Sequence, residues 1–204
     1  YESRFERWRP DADPSAWRER LPARDGGGVL LDLGVHLVDQ ALSLFGPVVA
    51  VAGEVEARRG GADDDVFIAL QHHSGTRSHL WASAVTAAPG PRLRVLGSRG
   101  AYVVEPLDGQ EAALRDGADP GKPDFGAEPR ERWGRLVRGE ESEPVPSRPG
   151  RWRDFYPAVV RALRAGEPPP VRGIDALAAL EVLDAVRRGT ARYRQASATI
   201  RSSG

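Results

Sequence analysis

The sequence contains no cysteine and no methionine, and only one lysine, Lys122, among its 29 Lys and Arg residues. Without cysteine there are no disulfides, no thiolate metal sites, no iron–sulfur clusters and no thiol nucleophile. Excess charge is missing too: 29 acidic residues balance 29 basic ones. A neutral chain lacks the basic field with which proteins bind nucleic acids or anionic membranes. Arginine in place of lysine fits a GC-rich coding sequence better than a phosphate site. Long apolar runs are absent as well. The longest are handfuls of residues such as Val48 to Ala52, far short of the roughly 20 residues of a membrane span. The opening Tyr1-Glu2-Ser3-Arg4-Phe5-Glu6-Arg7 is too charged for a signal peptide. The expectation is a soluble, cytoplasmic protein, and the lack of an initiating methionine predicts a piece of a longer polypeptide.

The familiar nucleotide motifs are missing. Gly26-Gly27-Gly28 would need a glycine at position 31 to complete G-x-G-x-x-G, and Leu31 stands there. Gly121-Lys122 lacks the first P-loop glycine, replaced by Asp116, and has Pro123 where Ser or Thr belongs. There is no H-E-x-x-H and no G-x-S-x-G. Any nucleotide must be held by another domain.

Hydrophobic periodicity outlines the fold. Residues 1–9 suit a short strand, and residues 10–25 a polar loop with a helical turn around Trp17. Val29 to Phe45, closed by Gly46-Pro47, has the length and stop signal of a helix. From Val49 the period changes to two. The segments 49–58, 66–70, 79–85, 93–96, 101–104 and 111–115 read as short strands divided by Gly- and Pro-rich turns. Parallel pairs need crossovers of about a dozen residues or more, so this meander is antiparallel. A further strand is expected near Gly134 to Val137. Phe155 to Ala165 and Ile174 to Arg188 read as helices, joined through Pro168-Pro169-Pro170. The predicted class is α+β, an open, mainly antiparallel sheet with helices on one face, and residues 1–204 form a single domain. The uncovered face calls for a partner subunit or another domain.

The first long helix carries the chemistry. At about 100° per residue, Asp32, His36 and Asp39 fall within roughly 60° on one face of an otherwise apolar segment. Buried carboxylates and imidazoles cost several kcal/mol unless paired or working, on the order given for polar transfer. Asp32 and His36 are i and i+4 and can touch. A carboxylate beside an imidazole makes a general acid/base. Gly34 leaves one side of the helix bare, open to another backbone or a ligand. Two other readings compete. The three residues could be a solvated polar stripe. They could also hold a hard cation, joined by His72 or His73 but not both, since neighbours on a strand point to opposite faces.

Gly26-Gly27-Gly28-Val29-Leu30-Leu31-Asp32-Leu33-Gly34-Val35-His36-Leu37-Val38-Asp39 resembles the G-G-G-x-x-x-D-x-G-x-H-x-x-D segment of the glucose–fructose oxidoreductase / inositol dehydrogenase / rhizopine-catabolism oxidoreductase family. Phe5-Glu6-Arg7-Trp8-Arg9-Pro10 is similar to the F-D-R-Y-R-P opening of its branch containing NADP-dependent scyllo-inositol dehydrogenases. Gly97-Ser98-Arg99-Gly100-Ala101, Phe155-Tyr156 and Gly166-Glu167-Pro168-Pro169-Pro170-Val171 also look like that branch. The resemblance implies a C-terminal substrate domain. An N-terminal Rossmann domain, absent from this sequence, would bind NADP or NAD, and this chain alone would be inactive. It implies His36 as the proton-transferring group and Asp32 as its partner, with Asp39 and Gly34 structural, no metal, and a homodimer through the open sheet face. The family's catalytic lysine belongs to the Rossmann domain and has no counterpart here. Leu31 departs from the aromatic residue common before the motif aspartate. Trp17, Arg18, Trp152 and Tyr156 are residue types suited to a sugar or polyol pocket, although packing or the pocket rim would also explain them. His79 is expected to be a core histidine, and the pairs Arg58-Arg59 and Arg187-Arg188 solvated ends. The expected function is oxidation of a sugar or polyol hydroxyl. The alternatives are a non-catalytic dimerisation or ligand-binding module and a metal-dependent hydrolase.

Overall fold

Val66, Ile68, Leu70 and His72 alternate with more exposed neighbours, as do Ser78, Leu80 and Ala82. This period-two pattern forms two central strands, each with one face against the core. The computed structural model describes residues 1–189. The chain divides into two compact units, one made of Tyr1–Pro89 and the chain from Leu177 onward, the other of Gly90–Ala176.

In the first unit, strands β1 (Glu2–Glu6), β2 (Val48–Glu56), β3 (Asp65–His72) and β4 (Arg77–Ser83) lie in the order β2-β3-β4-β1. The β2-β3 and β3-β4 pairs are antiparallel. The β1-β4 pair is parallel, with Ser3 opposite Leu80. The sheet is therefore mixed. The rule that short turns exclude parallel neighbours holds for the meander, but β1 reaches β4 through a long excursion that includes helix. That excursion contains α1 (Trp17–Arg20), a π-helical turn (Leu30–Gly34) and α2 (Val35–Phe45).

The core lies between one face of this sheet and the helices. Leu30, Leu33, Leu37, Val38 and Ala41 come from the π turn and α2; Ala179, Val182, Leu183, Ala185 and Val186 come from α5 (Gly173–Arg187). Gly53 is in β2 because α5 crosses there: a Cβ at that position would meet Val186 Cγ1 at 2.8 Å. Tyr1 Oη and Ser3 Oγ both donate to Gln40 Oε1, at 2.7 and 3.2 Å, tying β1 to α2. The opposite sheet face carries Phe67, His79 and Trp81 in mutual ring contact, with the Arg4 guanidinium 4.0 Å from the Trp81 ring centre.

In the second unit, β5 (Leu93–Gly97), β6 (Gly100–Val104), β7 (Gly134–Arg138) and β8 (Glu141–Val145) form consecutive antiparallel pairs. Residues 111–115, expected as a strand, instead belong to helix α3 (Gln110–Arg115). Asp108-Gly109 reads as a hairpin turn, but Asp108 Oδ1 accepts the Gln110 N–H at 2.9 Å and starts a helix. The Glu111–Arg115 ion pair, one turn apart, supports it. Strand β8 escapes the periodicity because it is short, charged and contains Pro144, which a ladder tolerates at its end. Helix α4 (Phe155–Ala165) follows, ended by Gly166 in the left-handed conformation. No helix among the described residues is long and apolar enough to cross a membrane.

Candidate active site

The segment from Trp17 to Asp39 gathers the candidate residues. A four-residue helix such as α1 does not persist on its own. Here it is held from outside. Its Arg18 carbonyl accepts the Gly28 N–H at 2.8 Å, while its own last turn closes with the Leu21 N–H on the Trp17 carbonyl at 2.9 Å. The glycine run makes this approach possible. A Cβ on Gly27 would lie 1.8 Å from the Leu21 carbonyl oxygen. Gly28 has φ +97°, and its Cβ would lie 2.0 Å from the Asp63 carboxylate.

Asp63 then caps the start of the long helix from a distant loop. Its carbonyl accepts the Val29 N–H at 2.9 Å and its Oδ2 accepts the Leu30 N–H at 2.7 Å. These are two of the donors that a helix N-terminus leaves without partners. Burial pushes the Asp63 carboxyl above its usual range, while the Leu30 N–H pulls the other way. The amides of the glycine run are also engaged: Gly26 and Gly27 donate to the carbonyls of Ala23 and Pro22, and Gly28 to that of Arg18. The run is a packing device and offers no cradle of free N–H groups to a phosphate.

Asp32 sits inside the π turn. Single π turns within helices recur at functional sites because the extra residue re-aims side chains. The half-buried Asp32 carboxylate forms an ion pair with Arg18, Nε to Oδ1 2.7 Å. The Arg18 guanidinium in turn lies 4.6 Å from the Trp17 ring centre. The partner the structure gives Asp32 is thus Arg18. The expected pairing with His36 assumed regular α-helical geometry, and the π turn removes that assumption. A permanent cation on α1 also competes strongly for a carboxylate.

His36 and Asp39 are exposed on α2. His36 therefore escapes the burial that its apolar flanks suggested, and its ring stands edge-on to Phe5 at 6.1 Å. Gly34 is buried, and its bare side faces Leu183 and Leu30: a Cβ there would meet them at 3.6 and 3.4 Å. Packing, and not ligand approach, occupies that space. Trp17, Arg18, Asp32 and His36 all belong to the first unit. Trp152 and Tyr156 belong to the second and are exposed. A groove of about 490 Å³ there runs along Phe155, Ala158 and Arg161 of α4 to Pro170; neither Trp152 nor Tyr156 lines it.

The other histidines divide. His72 is buried, with Nδ1 2.8 Å from the Gly46 carbonyl and Nε2 2.8 Å from Ser78 Oγ. Burial lowers its imidazole below the usual value. It is a satisfied core histidine. His79 is half-buried among Phe67 and Trp81 on the sheet face away from the helices, so it is not in the core. Among the described residues no group of three His, Asp or Glu side chains is arranged to hold a metal ion.

Sequence reasoning missed Glu19, Arg59, Asp63 and Asp64. Arg59, expected to be solvated, has a side chain only 9% exposed and pairs with both Asp64 and Glu19 at 3.0 Å. The one available signal was Asp63-Asp64-Asp65, three carboxylates directly before a buried strand.

Comparison with known proteins agrees with this layout. The family described as the GFO/IDH/MocA C-terminal domain matches residues 1–103. The scyllo-inositol 2-dehydrogenase (NADP(+)) IolW of Bacillus subtilis is 30% identical over 199 residues, 95% of this chain and 55% of IolW. The uncharacterized oxidoreductase YdgJ of Escherichia coli is 34% identical over 187 residues, 90% of this chain and 53% of YdgJ. The solved structure of yvaA from Bacillus subtilis superimposes with a TM-score of 0.83 at 28% identity, covering 96% of this chain and 57% of that one. The chain spans about half the length of the curated relatives it matches.

Proposed function

The chain belongs to the GFO/IDH/MocA family, and on that premise we propose that it is the substrate-side half of an NAD(P)-dependent oxidoreductase acting on a sugar or polyol hydroxyl. The observation that carries this reading is the motif segment itself. Its glycines pack α1 against the helix start, its aspartate sits in a π turn beside an arginine, and its histidine is solvent-facing one turn later. IolW, which is named for scyllo-inositol and NADP(+), supports an inositol-like substrate and NADP as the first cofactor to try.

The glycine run does not fit the cofactor's phosphates, because its amides are all engaged within the chain. The cofactor would be held by a domain outside this sequence, where the nicotinamide supplies the hydride acceptor. The residues here handle the proton and the substrate. His36 takes the proton from the reacting hydroxyl on an unprotonated ring nitrogen as the carbinol becomes a carbonyl, and returns it in reverse. Positioned proton transfer of this kind contributes about 10²–10⁴-fold. Asp32 and Arg18 form an ion pair on the same motif segment, with the Arg18 side chain 53% exposed and able to donate to sugar hydroxyls. Trp17 offers an apolar face of the kind that packs against the C–H side of a ring. Trp152 and Tyr156 stay as candidate substrate contacts in the second unit. The first unit's open sheet face, with Phe67, His79 and Trp81, is the surface proposed for a homodimer.

The test is NADP(+) reduction by the full-length protein with scyllo-inositol and related polyols. Turnover supports the reading. A folded, cofactor-binding protein with no turnover on any polyol would favour the non-catalytic module.

A further inference from the structure

The ion pair between Arg18 and Asp32 depends on α1, and the four residues of α1 need an anchor. Besides the Gly28 N–H bond to the Arg18 carbonyl, a relay of largely buried charged groups supplies one. Asp64, only 1% exposed and directly before β3, accepts the backbone N–H groups of Arg58 and Arg59 at 2.8 and 2.9 Å. It also accepts the Arg59 Nε–H at 3.0 Å. The same guanidinium reaches across with its Nη1, donating to Glu19 Oε2 at 3.0 Å and to the carbonyls of Arg9 and Asp11 at 3.1 and 3.3 Å. Glu19 Oε2 also accepts the Asp13 N–H at 3.0 Å. Glu19 is the residue after Arg18, so its inward anchorage fixes the backbone from which Arg18 reaches Asp32.

We propose that Glu19 and Arg59 are positioning residues for the candidate active site, holding α1 so that Arg18 stays on Asp32. This rests on the catalytic reading given above for Asp32 and His36. The geometry favours a clamp over a general stability role for three reasons. The carbonyls of Arg9 and Asp11 and the Glu19 carboxylate all lie on the 9–19 segment, not on the sheet. That segment has no buried residue, and beyond its own turns its other backbone ties are two bonds, Arg9 N–H to the Ala84 carbonyl and Gly28 N–H to the Arg18 carbonyl, each 2.8 Å. Arginine suits the place because separate nitrogens of one planar fork serve the two ends, Nε for Asp64 and Nη1 for Glu19 and the two carbonyls, whereas a lysine would have to meet all four acceptors from a single nitrogen.

The experiment uses the full-length protein with Glu19→Gln and Arg59→Lys, in wild-type and Arg18→Gln backgrounds. Amide hydrogen exchange is read first at Leu21 and Gly28, whose N–H groups bond to Trp17 and Arg18 carbonyls. In both single variants these amides are expected to exchange about tenfold faster, the scale of a lost coupling of about 1.4 kcal/mol. The amides of β3 and β4 stay protected as in wild type. Unchanged exchange at Leu21 and Gly28 would overturn the proposal. So would an equal loss across β3, which would make the pair a support of the whole unit.

Turnover with NADP(+) and scyllo-inositol is the second readout. Glu19→Gln is expected to lower kcat/KM about tenfold in the wild-type background and less than about twofold with Arg18→Gln, because it acts through Arg18. Equal losses in both backgrounds would overturn the positioning role. If the wild-type protein turns over no polyol, the catalytic reading fails and hydrogen exchange still decides the clamp.

Discussion

Arg18 reaches from α1 to Asp32 in the π turn, Nε to Oδ1 2.7 Å, and joins two segments that the Gly26-Gly27-Gly28 loop brings together. The pair is half exposed, so it adds little to stability; in the proposed reading its role is orientation and substrate contact. Arg18→Gln is therefore expected to change the unfolding midpoint little and to raise KM for a polyol several-fold. Steady-state kinetics of the full-length protein beside urea denaturation check this. A large stability loss with an unchanged KM would contradict it.

Gly28 is required twice over, by φ +97° and by the Asp63 carboxylate that a Cβ would strike at 2.0 Å. Gly28→Ala is expected to destabilise the protein by about 2 kcal/mol or more. Gly75 has φ +87° with nothing within 4 Å of a Cβ. Gly75→Ala should cost only the left-handed backbone penalty of about 1–2 kcal/mol. Equal losses in urea denaturation would show that the contact with Asp63 does not matter.

Asp63 gives a charge-dependent prediction. Burial raises its carboxyl in the folded state above the usual 3.8. A raised folded value means that its contribution is most favourable below about 3.8 and is lost as pH rises through the folded value. The ionised form of Asp63 therefore carries a desolvation cost. Asp63→Asn keeps an acceptor for Leu30 and is expected to leave stability at pH 7 equal or higher. Asp63→Ala orphans the Leu30 N–H and is expected to cost about 1–3 kcal/mol. Denaturation of both variants at pH 4 and about pH 7 tests the sign; a larger loss for Asn than for Ala would contradict it.

His72 behaves in the opposite sense. Burial lowers its folded value below the usual 6.5, partly offset by its bond to the Gly46 carbonyl. Its stabilising contribution is present above about 6.5 and is lost as pH falls through the lowered folded value. The unfolding free energy should decline over that window, and His72→Gln should remove that part of the decline. An identical pH slope in the variant would rule His72 out as its source.

Parts of this layout were legible in the sequence for physical reasons. The Val29–Phe45 helix showed through its length and its Gly46-Pro47 stop, and β2, β3 and β4 through alternation against a one-sided core. The parallel β1-β4 pair was not legible, because β1 carries only a loose alternation and its partner lies more than 70 residues on. The π turn was hidden, since α and π turns use the same residue types. With it was hidden the partner of Asp32: Arg18 stands out in the sequence as a residue type suited to a polyol pocket, but nothing there ties it to Asp32. Arg59 looked solvated beside Arg58, and only folding onto Asp64 and Glu19 distinguishes the two. Asp108-Gly109 read as a hairpin turn, and only the local hydrogen bond from the Gln110 N–H to Asp108 Oδ1 shows that a helix starts there.

The most direct measurement is kcat for NADP(+) reduction by the full-length protein with scyllo-inositol, compared between wild type and His36→Ala, with NADP(+) affinity measured alongside. The account predicts a fall in kcat of about 10²–10⁴-fold with cofactor affinity unchanged. Turnover by His36→Ala close to that of wild type would contradict the assignment of the proton to His36.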